Sequence, residues 1–113
     1  MEKLTEFSIL NGKTIVNVFA NKDHVRFNLV GGICDIDLYD DGPQNESHAF
    51  FANFEPLNSL GNKVVLSAVD NEINQDNCEF TLTFADGTKI VFESQHEHNG
   101  YYGYSYEVTY TEV

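Results

Sequence analysis

The sequence predicts a mainly β fold, an antiparallel meander forming a small sandwich or partly open barrel, with at most one short helix near residues 55–61. Three observations carry this. Apolar residues recur with a period of two rather than 3.6 along most of the chain. Turn signals such as Asn11-Gly12, Gly31-Gly32 and Asp86-Gly87 come at short intervals. Nine Phe and six Tyr, with no Trp, supply bulky side chains that suit strands better than helices. The 113 residues match one domain, read as 1–113, and a hydrophobic content of 42% fits a folded chain rather than a disordered one.

Taken in order, Phe7 to Leu10 has no clear assignment, and Asn11-Gly12 marks a tight turn. Thr14 to Ala20 reads as a strand with Val16, Val18 and Ala20 on one face and Ile15 and Phe19 on the other. Val25, Phe27 and Leu29 alternate with His24, Arg26 and Asn28, a half-buried pattern. After Gly31-Gly32, Cys34, Ile36 and Leu38 point inward against Asp35, Asp37 and Tyr39, completing a three-stranded meander. Asp40-Asp41-Gly42-Pro43 is a turn cluster. Ser47 to Phe54 fits either a short strand or a helical turn, and Glu55 to Leu60 one helical turn closed by Gly61.

The β pattern returns at Lys63. Val64 to Val69 is apolar on both faces, which places this strand centrally, and the polar run Asp70 to Asn77 reads as a long connection. Cys78, Phe80, Leu82 and Phe84 alternate with Glu79, Thr81 and Thr83. The Asp86-Gly87 turn leads into a strand from Thr88 to Ser94. The last strand spans Tyr101 to Glu112, with Tyr102, Tyr104, Tyr106, Val108 and Tyr110 on one face.

Charge is the least ordinary feature. Eighteen acids against six bases give a net charge of −12. Between Asp35 and Glu79 stand ten acids (Asp35, Asp37, Asp40, Asp41, Glu46, Glu55, Asp70, Glu72, Asp76, Glu79) and one base, Lys63, so this segment carries −9 of the total. Such a field repels nucleic acid and anionic membranes and attracts a basic protein groove, a metal ion or a cationic ligand. Simple solubility is the bland alternative. Two cysteines, Cys34 and Cys78, make no disulfide framework and sit on apolar strand faces as small hydrophobes. Reduced thiols, an N-terminus without an export pattern and no apolar stretch of membrane-spanning length lead us to expect a cytoplasmic protein.

No catalytic constellation or cofactor motif stands out, and a non-enzyme is expected. No Ser or Cys lies in a Gly-flanked strand-to-helix turn, and no phosphate-cradling loop precedes a helix. His96-Glu97-His98 is the best metal candidate, because alternate residues of a strand face one side. It lacks a visible third ligand, and solvated loop histidines are the plainer reading. Asp35, Asp37, Asp40 and Asp41 do not follow the spacing of a calcium loop and read as a solvated acidic rim. Exposed tyrosines from Tyr101 to Tyr106, Tyr101 and Tyr104 among them, suit either a binding surface or cross-strand packing.

Several short motifs recur together. Leu10-Asn11-Gly12-Lys13-Thr14-Ile15, Leu60-Gly61-Asn62-Lys63-Val64, Phe84-Ala85-Asp86-Gly87-Thr88 and Asn99-Gly100-Tyr101-Tyr102 resemble a family of small uncharacterised domains encoded by phages and prophages, over residues 10–110. The resemblance implies no assigned activity. It implies a setting of phages and mobile elements, where small acidic proteins act by occluding host proteins, including nucleic-acid-binding defence enzymes. The resulting expectation is an accessory protein that binds a basic host protein and imitates nucleic-acid phosphates. Its partner-binding residues are Asp35, Asp37, Asp40, Asp41, Glu46, Asp70, Glu72, Asp76, Tyr101 and Tyr104. A small-ligand or metal-binding β domain using His96, His98 or the Tyr segment, and a virion-associated structural module, are the rival expectations.

Overall fold

Alternation of apolar and polar residues settles most of the chain into strands in the computed structural model, which describes residues 2–43, 45–98, 100 and 102–113. The strands are β1 (Glu2–Thr5), β2 (Thr14–Ala20), β3 (His24–Leu29), β4 (Gly32–Asp40), β5 (Ser47–Ala52), β6 (Lys63–Asn74), β7 (Asn77–Phe84), β8 (Lys89–His98) and β9 (Tyr104–Glu112). Among the described residues the only helical segments are 3-10 turns. Glu55–Ser59 falls where one short helix is expected, with Pro56 in its first turn. Phe7–Leu10 fills the unassigned start and buries Phe7 and Leu10.

Every pairing is antiparallel, in the order β1-β9-β4-β3-β2-β6-β7-β8-β5. The sheet is not closed: β5 pairs with β8, and β1 with β9. Its weakest seam is between β2 and β6, where only Thr14↔Val64 and Ile15↔Lys63 pair. There the sheet folds over, and the halves on either side face each other across an aromatic core. Phe27 of β3 lies 6.4 Å from Phe92 of β8, and Tyr106 of β9 meets Phe80 of β7 edge-on at 5.0 Å. Phe7 fills the middle, 5.2 Å from Phe80 and 6.2 Å from Phe92. The sandwich-like, partly open β architecture read from the sequence is the one found.

Strands with clean alternation behave as expected. In β7, Cys78, Phe80, Leu82 and Phe84 are buried, and in β3 so are Val25, Phe27 and Leu29. Both cysteines are free and buried.

Four readings need correction. A bulge between Ile15 and Asn17 shifts the phase of β2, so Ile15 and Val18 face the core while Val16 is exposed. A second irregularity, between Val65 and Ser67, does the same in β6. There Val65 and Ala68 are buried, but Leu66 is 65% and Val69 52% exposed, so no second layer of the described residues covers that face. The polar run from Asp70 is not a long connection: β6 and β7 continue as a ribbon to Asn74↔Asn77, turning at Gln75-Asp76. Ladder hydrogen bonds hold such a ribbon whatever the polarity of its side chains. Finally, β8 runs on to His98, and β9 starts at Tyr104; Tyr101 lies outside the described residues.

Candidate functional site

One end of the sandwich collects the close of β4, the starts of β5 and β9, the end of β8 and the β6–β7 turn. The register fixes this: Asp40 pairs opposite Tyr104, Ser47 opposite His98, and Asn77 opposite Gln95. The turn after β4 is tight. Gly42 donates its N–H to Asp40 Oδ1 at 3.0 Å, and the N–H groups of Glu46 and Ser47 both reach the Pro43 carbonyl at 2.9 Å. A Cβ on Gly42 would come within 2.4 Å of the Ser47 Cβ and 2.6 Å of the Tyr102 ring, so only glycine fits.

Around this turn a buried polar chain forms. The Ser47 hydroxyl donates to Asp40 Oδ1 at 2.5 Å, because a carboxylate can only accept. Ser47 Oγ also lies 2.6 Å from His96 Nε2, so the ring must donate there, and Nε2 carries a proton. Asp40 Oδ1, 3.3 Å from the same nitrogen, stands beside it. Burial pushes the Asp40 carboxyl up, but the Ser47 hydroxyl, the Gly42 N–H and His96 outweigh it and hold the group below its ordinary range.

His96 and His98 project to the same side of β8, with rings stacked at 4.5 Å. His98 Nε2 donates to Asp76 Oδ1 at 2.8 Å, and its Nδ1 accepts from the Gly100 N–H at 2.8 Å. The β6–β7 turn lies over β8, where the His96 N–H meets the Asp76 carbonyl at 2.9 Å. This brings Asp76 Oδ1 to 3.4 Å from His96 Nδ1. The His96 side chain is fully buried, and Nδ1 has no hydrogen-bond partner. Ligand atoms of Asp76, His96 and His98 all lie within 4.8 Å of one another. His96 therefore departs from the reading of solvated loop histidines. Serine, histidine and aspartate stand here in the order of a nucleophilic triad, but the Ser47 proton points to Asp40 and His96 Nε2 already holds one. The wiring is the reverse of an activated serine.

Tyr104 and Tyr106 of β9, with Tyr102 just before it, line the same end. Tyr104 packs 5.1 Å from the His96 ring and shares a 3.0 Å hydrogen bond with Ser94. Tyr106 donates to Asp70 Oδ2 at 2.5 Å, and burial followed by that carboxylate pushes its hydroxyl pKa far up. Tyr102 donates to Glu46 Oε2 at 2.8 Å. Beside Tyr104 and Tyr106 a groove opens, lined also by Glu72, Asn74, Gln75 and Cys78.

Asp40, Asp41, Glu46, Asp70, Glu72, Asp76 and Tyr104 are thus brought to one end. Asp41 joins through its N–H to the Gly103 carbonyl at 3.0 Å. Asp35 and Asp37 are not part of it. They lie on the outward face of β3–β4, where Arg26 grips Asp35 at 2.7 and 3.3 Å and His24 bridges Asp35 and Asp37 at 2.8 and 2.6 Å. Tyr101 lies outside the described residues. Sequence reasoning missed Ser47 and the meeting of Asp76 with the histidines. A His-x-His at a strand end facing an acid in the neighbouring hairpin turn was the available signal, hidden while Asp70 to Asn77 was read as a loop.

Among the described residues no helix is long and apolar enough to cross a membrane. No family model, curated protein or solved structure matches the chain.

Proposed function

We propose that this domain is a non-enzymatic accessory protein of a phage or mobile element, acting in the cytoplasm of a bacterial host by docking its acidic end face on a basic protein. The observation that carries the reading is the gathering of Asp40, Asp41, Glu46, Asp70, Glu72 and Asp76 at one end of the sandwich. Among the described residues no Lys or Arg forms an ion pair with Asp40, Asp41, Asp70, Glu72 or Asp76. Three of the bases are engaged elsewhere: Arg26 holds Asp35, Lys63 holds Asp86, and Lys13 sits over the Tyr110 ring.

Such a face attracts cationic surfaces over long range, and its half-buried tyrosines add stiff contact area. The matching partner is a groove lined by Arg and Lys that otherwise takes nucleic-acid phosphates. In this reading the protein inhibits a host defence nuclease as a nucleic-acid mimic.

The test is capture from host lysate at low and high salt, with mass spectrometry of what is retained. A basic nucleic-acid-processing protein should be held at low salt and released at high salt. Reversing exposed charges in Asp41→Lys with Glu72→Lys should weaken capture by about tenfold or more. Salt-insensitive capture, or capture unchanged by the reversal, would sink the mimicry.

A further inference from the structure

The atom that the end face leaves unexplained is His96 Nδ1. Its residue is 6% exposed and its side chain fully buried, yet the nitrogen has no hydrogen-bond partner. Nε2 carries a proton toward Ser47, so in a neutral ring Nδ1 presents a lone pair. What it faces is the Asp76 carboxylate oxygen at 3.4 Å, an atom equally rich in electrons. A buried lone pair opposed to a carboxylate is unfavourable unless something positive lies between them, either a second ring proton or a metal ion. His98 Nε2 borders the same space from the other side.

We propose that Asp76, His96 and His98 form a binding site for a divalent transition-metal ion, with Asp76 Oδ1, His96 Nδ1 and His98 Nε2 as ligands. Bonds of about 2.0–2.1 Å in tetrahedral directions separate donor atoms by about 3.3 Å. His96 Nδ1 and Asp76 Oδ1 already stand 3.4 Å apart. The 2.8 Å between His98 Nε2 and Asp76 Oδ1 must open slightly as the metal takes the place of the shared proton. Two imidazole nitrogens and one carboxylate select zinc and its neighbours over calcium or magnesium, and three protein ligands leave a position for water or a partner's group.

The surroundings follow the pattern of a metal-bound histidine. A ligating imidazole donates its second N–H to an outer acceptor that fixes the ring. His96 does so through Nε2 to Ser47, with Asp40 behind it. For His98 one contact must change. The Gly100 N–H donates to Nδ1, so metal at Nε2 requires that amide to turn away while Nδ1 takes up a proton. Gly100 has φ +102° and no side chain in the way, which suits such a turn. Access comes from the hairpin side, where Asp76 is 42% exposed. The site stands whether or not the acidic face docks on a basic protein, because the ligand is the metal alone.

The test uses the purified full chain, stripped with a chelator and titrated with Zn²⁺ by calorimetry, with elemental analysis after dialysis. One zinc per chain is expected, with uptake falling as the pH is lowered because protons compete for the imidazole nitrogens. Asp76→Asn and His98→Gln should each lower the affinity by about tenfold or more. His48→Gln, an exposed histidine stacked on Phe50, should not. Both informative variants alter partly exposed side chains, and thermal unfolding checks that they fold. In the wild type the Gly100 amide resonance should shift on zinc addition. No uptake, or uptake equal in all four proteins, overturns the site.

Discussion

His96 Nδ1 and Asp76 Oδ1 face each other across 3.4 Å at the buried margin of the end face, the nitrogen without a hydrogen-bond partner. The contact joins β8 to the β6–β7 turn, and its chemistry can be probed without any metal. In chelator-stripped protein, Asp76→Asn can turn its amide N–H toward Nδ1, but the replaced atom, Oδ1, also accepts from His98 Nε2, so a hydrogen bond gained at His96 is offset by one lost at His98. Stability should therefore change by less than about 1 kcal/mol, a few degrees in Tm at most. A loss of more than about 1 kcal/mol would mean that the carboxylate charge holds a doubly protonated ring.

Acid should weaken the fold through Asp40 and Asp86. The Ser47 hydroxyl, the Gly42 N–H and His96 hold Asp40 low against the opposing effect of burial, and Lys63 with Thr88 holds Asp86 low. A carboxyl whose folded-state pKa is depressed contributes fully above its unfolded value of about 3.9. It loses that contribution as the pH falls through the folded value. Tm should therefore be flat near neutrality and drop below about pH 4. Asp40→Asn should cost about 1–3 kcal/mol at pH 7 and flatten the acid limb. An unchanged acid limb would show that the Asp40 network contributes nothing.

The outer face of β6 carries Leu66 and Val69 into solvent, so polar replacements there should be nearly silent. Leu66→Ser and Val69→Thr should each change stability by no more than about 0.5 kcal/mol in urea unfolding. Leu82→Ala, in the closed core, should cost about 2–5 kcal/mol. Comparable losses at Leu66 and Leu82 would mean that β6 is covered on both faces.

Thiol chemistry reads the same burial. Burial foremost pushes the Cys34 thiol up to about 12, and the Cys78 thiol is also raised by burial first. At pH 8 the Cys34 thiolate fraction is on the order of 10⁻⁴. An aromatic disulfide reagent should react with neither cysteine until the chain is unfolded, and then rapidly with both. Fast reaction of the native protein would contradict the packing of β4 and β7.

The fold was legible wherever strand alternation was uninterrupted. Val25, Phe27 and Leu29 declared their face, as did Cys78, Phe80, Leu82 and Phe84, because polar residues separated them. It was not legible at Val16 and Leu66. A bulge there inserts one residue into the ladder and reverses the faces, and no residue type announces it. The ribbon from Asp70 to Asn77 was hidden because ladder bonds, not apolar side chains, sustain it. At the end face, the His96–His98 spacing and the local excess of acids were visible in the chain. Which acids meet was not. Asp35 and Asp37 are diverted to Arg26 and His24 by the β3–β4 register, and Asp76 reaches the histidines only through the hairpin turn.

The claim that the acidic end face is the docking surface is tested most directly by hydrogen–deuterium exchange, with and without the basic protein that the domain captures. Protection is expected at residues 38–43, 46–48, 70–78 and 102–106, with the outward face of β3 and β6 unchanged. Protection confined to Arg26–Asp37 or to Val64–Val69, with the end face exchanging as in the free protein, would contradict it.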